Sequence, residues 1–100
     1  RALLPTIIRV TDRWHFVAEK LALKYQSAKK APQRRALDRK FRDVMDKWTK
    51  QVEQLGAFVR GPWEVEFDAG EGFFWSWQYP EDDIYYYQSN EGESDERFPI

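Results

Sequence analysis

The segment Leu3–Ala28 is apolar around most of its circumference, and this constrains the chain more than any other feature. With Ile7 set as position a of a heptad, positions a are Ile7, Trp14, Leu21 and Ala28. Positions d are Leu3, Val10 and Val17, with Lys24 breaking the run. An a/d seam of this kind is what two packed helices share. Positions b, c and e are also largely apolar, through Leu4, Ile8, Phe16, Ala18, Ala22, Leu23 and Tyr25. Only f and g keep a polar strip: Asp12, Arg13, Glu19, Lys20, Gln26 and Ser27. A helix apolar on several sides has to be covered on several sides. The expected covers are a second helix, a sheet and a second copy of the chain.

One hundred residues suit one small domain, divided here into a helical hairpin (1–55), a β-meander (56–88) and a C-terminal tail (89–100). A chain this short buries a modest share of its surface, so association is a natural supplement. Five Trp, five Tyr and seven Phe let a core be built from few residues. The absence of Cys excludes disulfides, thiolate catalysis and Cys-based zinc sites, and fits a reducing, cytoplasmic setting. No apolar run reaches bilayer length, so no membrane partner is expected. The first residue, Arg1, falls inside a helix start without a signal-peptide pattern, which implies that further residues precede it. The near-zero net charge of −1 hides a segregation: residues 1–55 carry a net of +8, and residues 56–100 a net of −9.

Pro5 sits in the first helical turn, where its missing N–H costs little. The helix runs to about Lys30. Ala31-Pro32 breaks it, because proline disfavours helical backbone in the residue before it. Pro32 opens a second helix with one narrow apolar stripe: Leu37, Phe41, Val44, Met45, Trp48, Val52 and Leu55. The short connection makes the two helices antiparallel, and Gly56 fits a left-handed cap. Beyond Gly56 the apolar period changes to two. Strands are predicted over 63–68, 73–79 and 84–88, with turns at 68–72 and 79–83, giving a three-stranded antiparallel meander. Its inner face is expected to hold Trp63, Val65, Phe67, Phe73, Trp75, Trp77, Ile84 and Tyr86. Residues 89–97 read as a polar, acidic loop, and Phe98-Pro99-Ile100 as a segment that can tuck back onto the body. The helices outreach the strands, so the sheet should cover the base of the hairpin and leave its tip projecting.

The start Arg1-Ala2-Leu3-Leu4-Pro5, then Leu55-Gly56-Ala57, Gly61 and Val65-Glu66-Phe67-Asp68 resemble a bacterial family known as domain of unknown function 2203. Trp77, Pro80-Glu81, Ile84, Tyr86, Glu91-Gly92 and Pro99-Ile100 continue the resemblance over nearly the whole chain. Family members tend to carry His where Gln88 stands, and an aromatic with small residues where this chain has Glu93-Ser94-Asp95. The family has no established activity, so the resemblance implies kinship and not a role.

Three surfaces are candidates for function. Phe16 and Leu23 at position c, with Ile8 at position b, are the self-association candidate, and a closed twofold homodimer is the expected partner state. The outer sheet face is expected to show Phe74, Tyr85 and Tyr87 beside Glu64 and Glu66, a combination that can stack a sugar, a base or a basic peptide. Cover by the tail or by another protein partner is the plainer reading of that face. Lys29, Lys30, Arg34, Arg35 and Arg39 at the hairpin tip can track phosphates, although a solvated helix face explains them more simply, so nucleic acid is not the expected partner. His15, the single His, reads as a partly buried structural residue. The acidic clusters 81–83 and 91–96 do not match a calcium loop, and no phosphate loop, nucleophile elbow or paired-His motif is present. The chain therefore reads as an α+β domain, a long antiparallel helical hairpin followed by a β-meander packed on its base. It has no expected catalytic residues, metal or cofactor, and acts through burial of helix-1 apolar surface.

Overall fold

The computed structural model describes residues 2–89 and 96–100. Two helices, α1 (Leu4–Ser27) and α2 (Ala31–Gln54), form an antiparallel hairpin. Five strands follow: β1 (Phe58–Gly61), β2 (Glu64–Gly70), β3 (Phe73–Gln78), β4 (Tyr86–Ser89) and β5 (Phe98–Pro99). They pair antiparallel in sequence order in one sheet. The α+β hairpin-and-meander architecture is as expected, but the sheet has five strands rather than three.

The helices form where the punctuation placed them. Each has a proline in its first turn. The three-residue link is braced by the Arg34 guanidinium, whose Nε donates to the Ala28 carbonyl at 3.0 Å. At the end of α2 the Gly56 N–H bonds Glu53 O at 3.0 Å and the Ala57 N–H bonds Val52 O at 3.4 Å, with Gly56 at φ +97°. This is a Schellman cap, which satisfies the last carbonyls and turns the chain into β1.

The hairpin seam runs closer to a/e than to a/d. Ile7, Thr11 and Ala18 are buried against a helix-2 stripe whose buried members are Val44, Trp48 and Val52, while Val10 and Val17 are half-buried. The seam rolls toward e because the sheet lies on that side and completes the burial there. Two indoles cross-link the helices: Trp48 Nε1 donates to Thr11 Oγ1 at 2.9 Å in the buried interior, and Trp14 Nε1 to Gln51 Oε1 at 2.8 Å nearer the surface. One core then joins Leu4 and Ile7 of α1, Trp48 and Val52 of α2, and Ala57, Val65, Phe67, Trp77 and Ile84 of the sheet side.

The extra strands have local causes. Pro62 and Trp63 make a two-residue turn between β1 and β2, with Trp63 at φ +62°. Trp63 is therefore a turn residue and not the first residue of a strand. Glu71 and Gly72, both at positive φ, make the tight turn between β2 and β3. At the other end Phe98 and Pro99 pair with Tyr87 and Tyr86 as β5, and the Ile100 N–H bonds Tyr85 O at 3.0 Å. The acidic residues Glu91–Asp95, expected as part of a loop, lie outside the described residues.

Two expectations for the sheet faces are corrected. Trp75 pairs with Tyr87 and Ser76 with Tyr86, so Tyr87 shares the helix-facing side with Trp75 and Trp77, and Tyr86 lies on the opposite side. Ile84 precedes the regular strand, so its phase does not carry into β4. Phe73 is on the inner side in parity but 43 % exposed, because the helices do not reach over it.

Thr11→Val keeps shape and removes the acceptor of the buried Trp48 indole. It is expected to destabilise the fold by about 1–3 kcal/mol, read as a lower urea midpoint at unchanged slope. Gln51→Leu, at the more exposed cross-link, is expected to cost less.

Candidate self-association surface

The sheet ends partway up the hairpin. On α1 the turns of the sheet meet His15, whose ring stacks on Tyr79 at 4.1 Å between centroids and meets Trp63 edge-on at 5.1 Å. His15 is thus an aromatic packing residue, with Nδ1 3.5 Å from Glu19. Beyond it no third layer covers the hairpin among the described residues: the two grooves beside its tip half are lined by hairpin residues, among them Leu23, Ala28 and Leu37, and Leu21, Tyr25 and Phe41.

Of the three residues expected to mediate self-association, two face solvent. Phe16 is 57 % exposed and Leu23 64 %. Ile8 is half-buried and packs against the core, so it forms the edge of the patch rather than its centre. At about 100° per residue, Pro5, Ile8, Asp12, Phe16 and Leu23 fall within a strip about 80° wide along the side of α1 that faces away from α2. Lys20 Nζ lies 4.5 Å from the Phe16 ring centroid, a cation–π contact on the rim of the strip.

The lower end of this strip is one wall of a groove of about 670 Å³ between α1 and the β3–β4 connection. Ile8, Trp77 and Tyr79 give it an apolar lining; Asp12, Glu81, Asp82 and Asp83 surround it with carboxylates. Burial, then the negative charge of Asp12 with a hydrogen bond to its carboxylate, and then Glu19, raise the Tyr79 phenol above its ordinary pKa of 10.0. The groove is a locally negative, partly desolvated site.

The tip residues Lys29, Lys30, Arg34, Arg35 and Arg39 are exposed together at the opposite end of the hairpin. Arg34 is partly committed to structure, by its bond to Ala28 and by its guanidinium 5.3 Å from the Tyr25 ring centroid.

The outer-sheet candidates do not come together. Phe74 is on the outer face, where it meets Phe58 edge-on at 6.2 Å. Tyr87 is on the inner face against Phe73 and Phe98. Tyr85 lies before β4 with its hydroxyl donating to Asp82 at 2.6 Å. Glu64 and Glu66 are on the outer face but engaged: Glu64 accepts from Gln78 Nε2 at 2.8 Å, and Glu66 pairs with Arg60.

What occupies the outer face instead is Arg97, which the sequence reading assigned no role. It donates to Ser76 Oγ at 2.8 Å, to Gln78 Oε1 at 3.1 Å and to Glu81 Oε1 at 2.7 Å, and its guanidinium lies 4.2 Å from the Tyr86 ring centroid. The signal was available: Arg97 is one of two cations in the acidic half, immediately before the apolar Phe98-Pro99-Ile100. The tail extends the sheet as an edge strand, and the Arg97 side chain lies over part of this face and fastens it.

Among the described residues no group of three His, Cys, Asp or Glu side chains is placed to hold a metal, and no helix is long and apolar enough to cross a membrane. In comparisons with known proteins, the chain matches no family model, no curated protein and no solved structure.

Arg97→Gln is expected to cost about 1.5–3 kcal/mol, since it strips charge-assisted bonds from Glu81, and to speed hydrogen exchange at the Ile100 amide. The raised phenol of Tyr79 gives a pH prediction with a defined sign. The unfolded phenol ionises first, so stability is full below pH 10 and falls as pH climbs through the higher folded value. In Tyr79→Phe the loss of urea midpoint from pH 8 to pH 11 is expected to be smaller than in the parent chain.

Proposed function

We propose that this protein is a non-enzymatic interaction domain that acts by self-association through the outer strip of α1, as a homodimer in the cytoplasm. The observation that carries the reading is the exposure of Phe16 and Leu23 on a helix whose tip half, among the described residues, lacks a third layer. Large apolar side chains set along one face, on a rod already half-covered by its own sheet, are the usual mark of an interface. Kinship with the domain of unknown function 2203 proteins belongs to the same reading, and rests on the residues quoted for it. Several of these sit at structurally demanding positions: Pro5 in the first turn, Gly56 at the cap, Trp77 and Ile84 in the core.

The ligand-binding alternative lost its basis when Phe74, Tyr85 and Tyr87 proved to occupy three different environments. The nucleic-acid alternative keeps its exposed cations, but none of Lys29, Lys30, Arg34, Arg35 and Arg39 lines either groove beside the tip.

Sedimentation equilibrium is expected to return twice the mass of 12.0 kDa at micromolar concentration. Phe16→Asp and Leu23→Asp are each expected to raise the dissociation constant by about tenfold or more, with folding unchanged by circular dichroism. A parent chain that stays monomeric up to millimolar concentration defeats the reading.

A further inference from the structure

We propose that the acidic groove beside the base of α1 receives the basic hairpin tip of a second copy, in an antiparallel twofold pair. This rests on the self-association reading above and adds its register, its polarity and the second surface it uses.

The groove and the exposed strip are one continuous surface. Ile8 and Asp12 line the groove, and the same helical face carries on through Phe16 to Leu23. A partner helix laid along the strip therefore runs into the groove. When two copies of α1 lie antiparallel with Phe16 near the axis, residues equally far from it come level. Leu23 then stands level with the partner's Arg9, one residue along from its Ile8. Ala28 and Lys29, about 20 Å from the axis at 1.5 Å per residue, stand beside the partner's Leu4, at the mouth of the partner's groove.

Charge selects this polarity over the parallel one. Residues 1–55 carry +8 and residues 56–100 carry −9, so a parallel pair sets tip against tip and sheet against sheet. An antiparallel pair sets Lys29 and Lys30 toward the carboxylates of the partner's Asp82 and Asp83, and Lys20 level with the partner's Asp12. The groove lining suits this occupant: the long methylene stem of a lysine packs on Ile8 and Tyr79 while its ammonium reaches the carboxylate rim. The outer face of α1, about 36 Å long and one helix, about 10 Å, wide, offers roughly 360 Å², so the groove has to supply much of the roughly 800 Å² per partner of a stable interface. Because the arrangement is isologous, both grooves fill and the assembly closes at two.

The chain has no cysteine, so a single Ala31→Cys, at the exposed first residue of α2, carries one spin label per copy. Antiparallel docking predicts a label separation of about 40 Å, and a parallel pair one within about 20 Å. Separately, Lys29→Glu/Lys30→Glu and Asp82→Lys are each expected to raise the dissociation constant about tenfold, and all three substitutions in one chain to restore it to within about threefold. Circular dichroism checks that each variant folds.

The possible failures separate. A monomer at every concentration removes the self-association reading and this inference together. A dimer with the short label distance leaves self-association standing and overturns the antiparallel register. A dimer with the long distance but indifferent to charge reversal overturns the docking of the tip in the groove. A monomer whose groove binds hexalysine, read by Trp fluorescence and abolished by Asp82→Lys, assigns the groove to another basic partner and overturns the second copy as its occupant.

Discussion

A mismatch of lengths governs this structure. Helices of 24 residues run about 36 Å, and the longest strand, of seven residues, spans about 23 Å. Strands of that length, starting at the Schellman turn after Gly56, cannot cover both ends of the hairpin. The covered end acquires a dry core, with Trp48, Trp77, Ile7 and Val52 all fully buried. The uncovered end keeps a two-helix layer whose apolar residues have water on one side. The same mismatch works in reverse at the far edge of the sheet. There Phe73, Trp75 and Tyr87 extend past the helices, and the ring of Phe73 stays partly wet.

Within the covered end, polar groups are handled in two different ways. The Trp48–Thr11 bond lies in the dry core and is a satisfaction constraint: the indole must be buried for its area, so its N–H must have an acceptor there. Arg97 works at the opposite face, where Ser76 is buried beneath it and Glu81 is shielded beside it. A planar cation with several donors can satisfy a hydroxyl, an amide oxygen and a carboxylate together while stacking on Tyr86, which lysine cannot do. The two-residue strand β5 is too short to hold itself by ladder bonds alone. It depends on that guanidinium and on Phe98 packing against Tyr87.

The helical half was legible because its signals are local and redundant. Proline in each first turn, a narrow stripe on helix 2 and Gly56 at its end all specify the same boundaries, and none competes with another. The sheet was less legible for equally physical reasons. The alternation Trp63-Val65-Phe67 continues smoothly through a turn, and only Pro62 and the left-handed backbone of Trp63 reveal the break. Tyr85-Tyr86-Tyr87 places the same side chain on both faces, so it contains no information about phase, and the irregular segment at Ile84 removes the reference that would supply it. That single slip moved Tyr87 to the wrong face and dissolved the expected outer cluster. The exposed strip was readable from Phe16 and Leu23 because position c lies on the far side of α1 from the buried a and e positions. The groove was not, since Asp12 and Asp82–Asp83 meet only after the β3–β4 connection folds back on α1.

The charge segregation and the apolar strip are separable influences on any assembly of this chain. Burial of Phe16 and Leu23 is nearly independent of orientation, because an apolar strip packs on its copy in either direction. The two halves, +8 and −9, contribute little net attraction to a molecule whose total is −1, yet they respond strongly to orientation. Affinity therefore belongs to the strip, and polarity belongs to the halves. Salt acts on these unequally: at a screening length of about 8–10 Å the long-range preference between tip and sheet weakens first, while contacts inside the groove, with Tyr79 and Ile8 excluding water from one side, are screened least. An assembly organised this way keeps its register as ionic strength rises only if the tip sits in the groove, rather than merely near it.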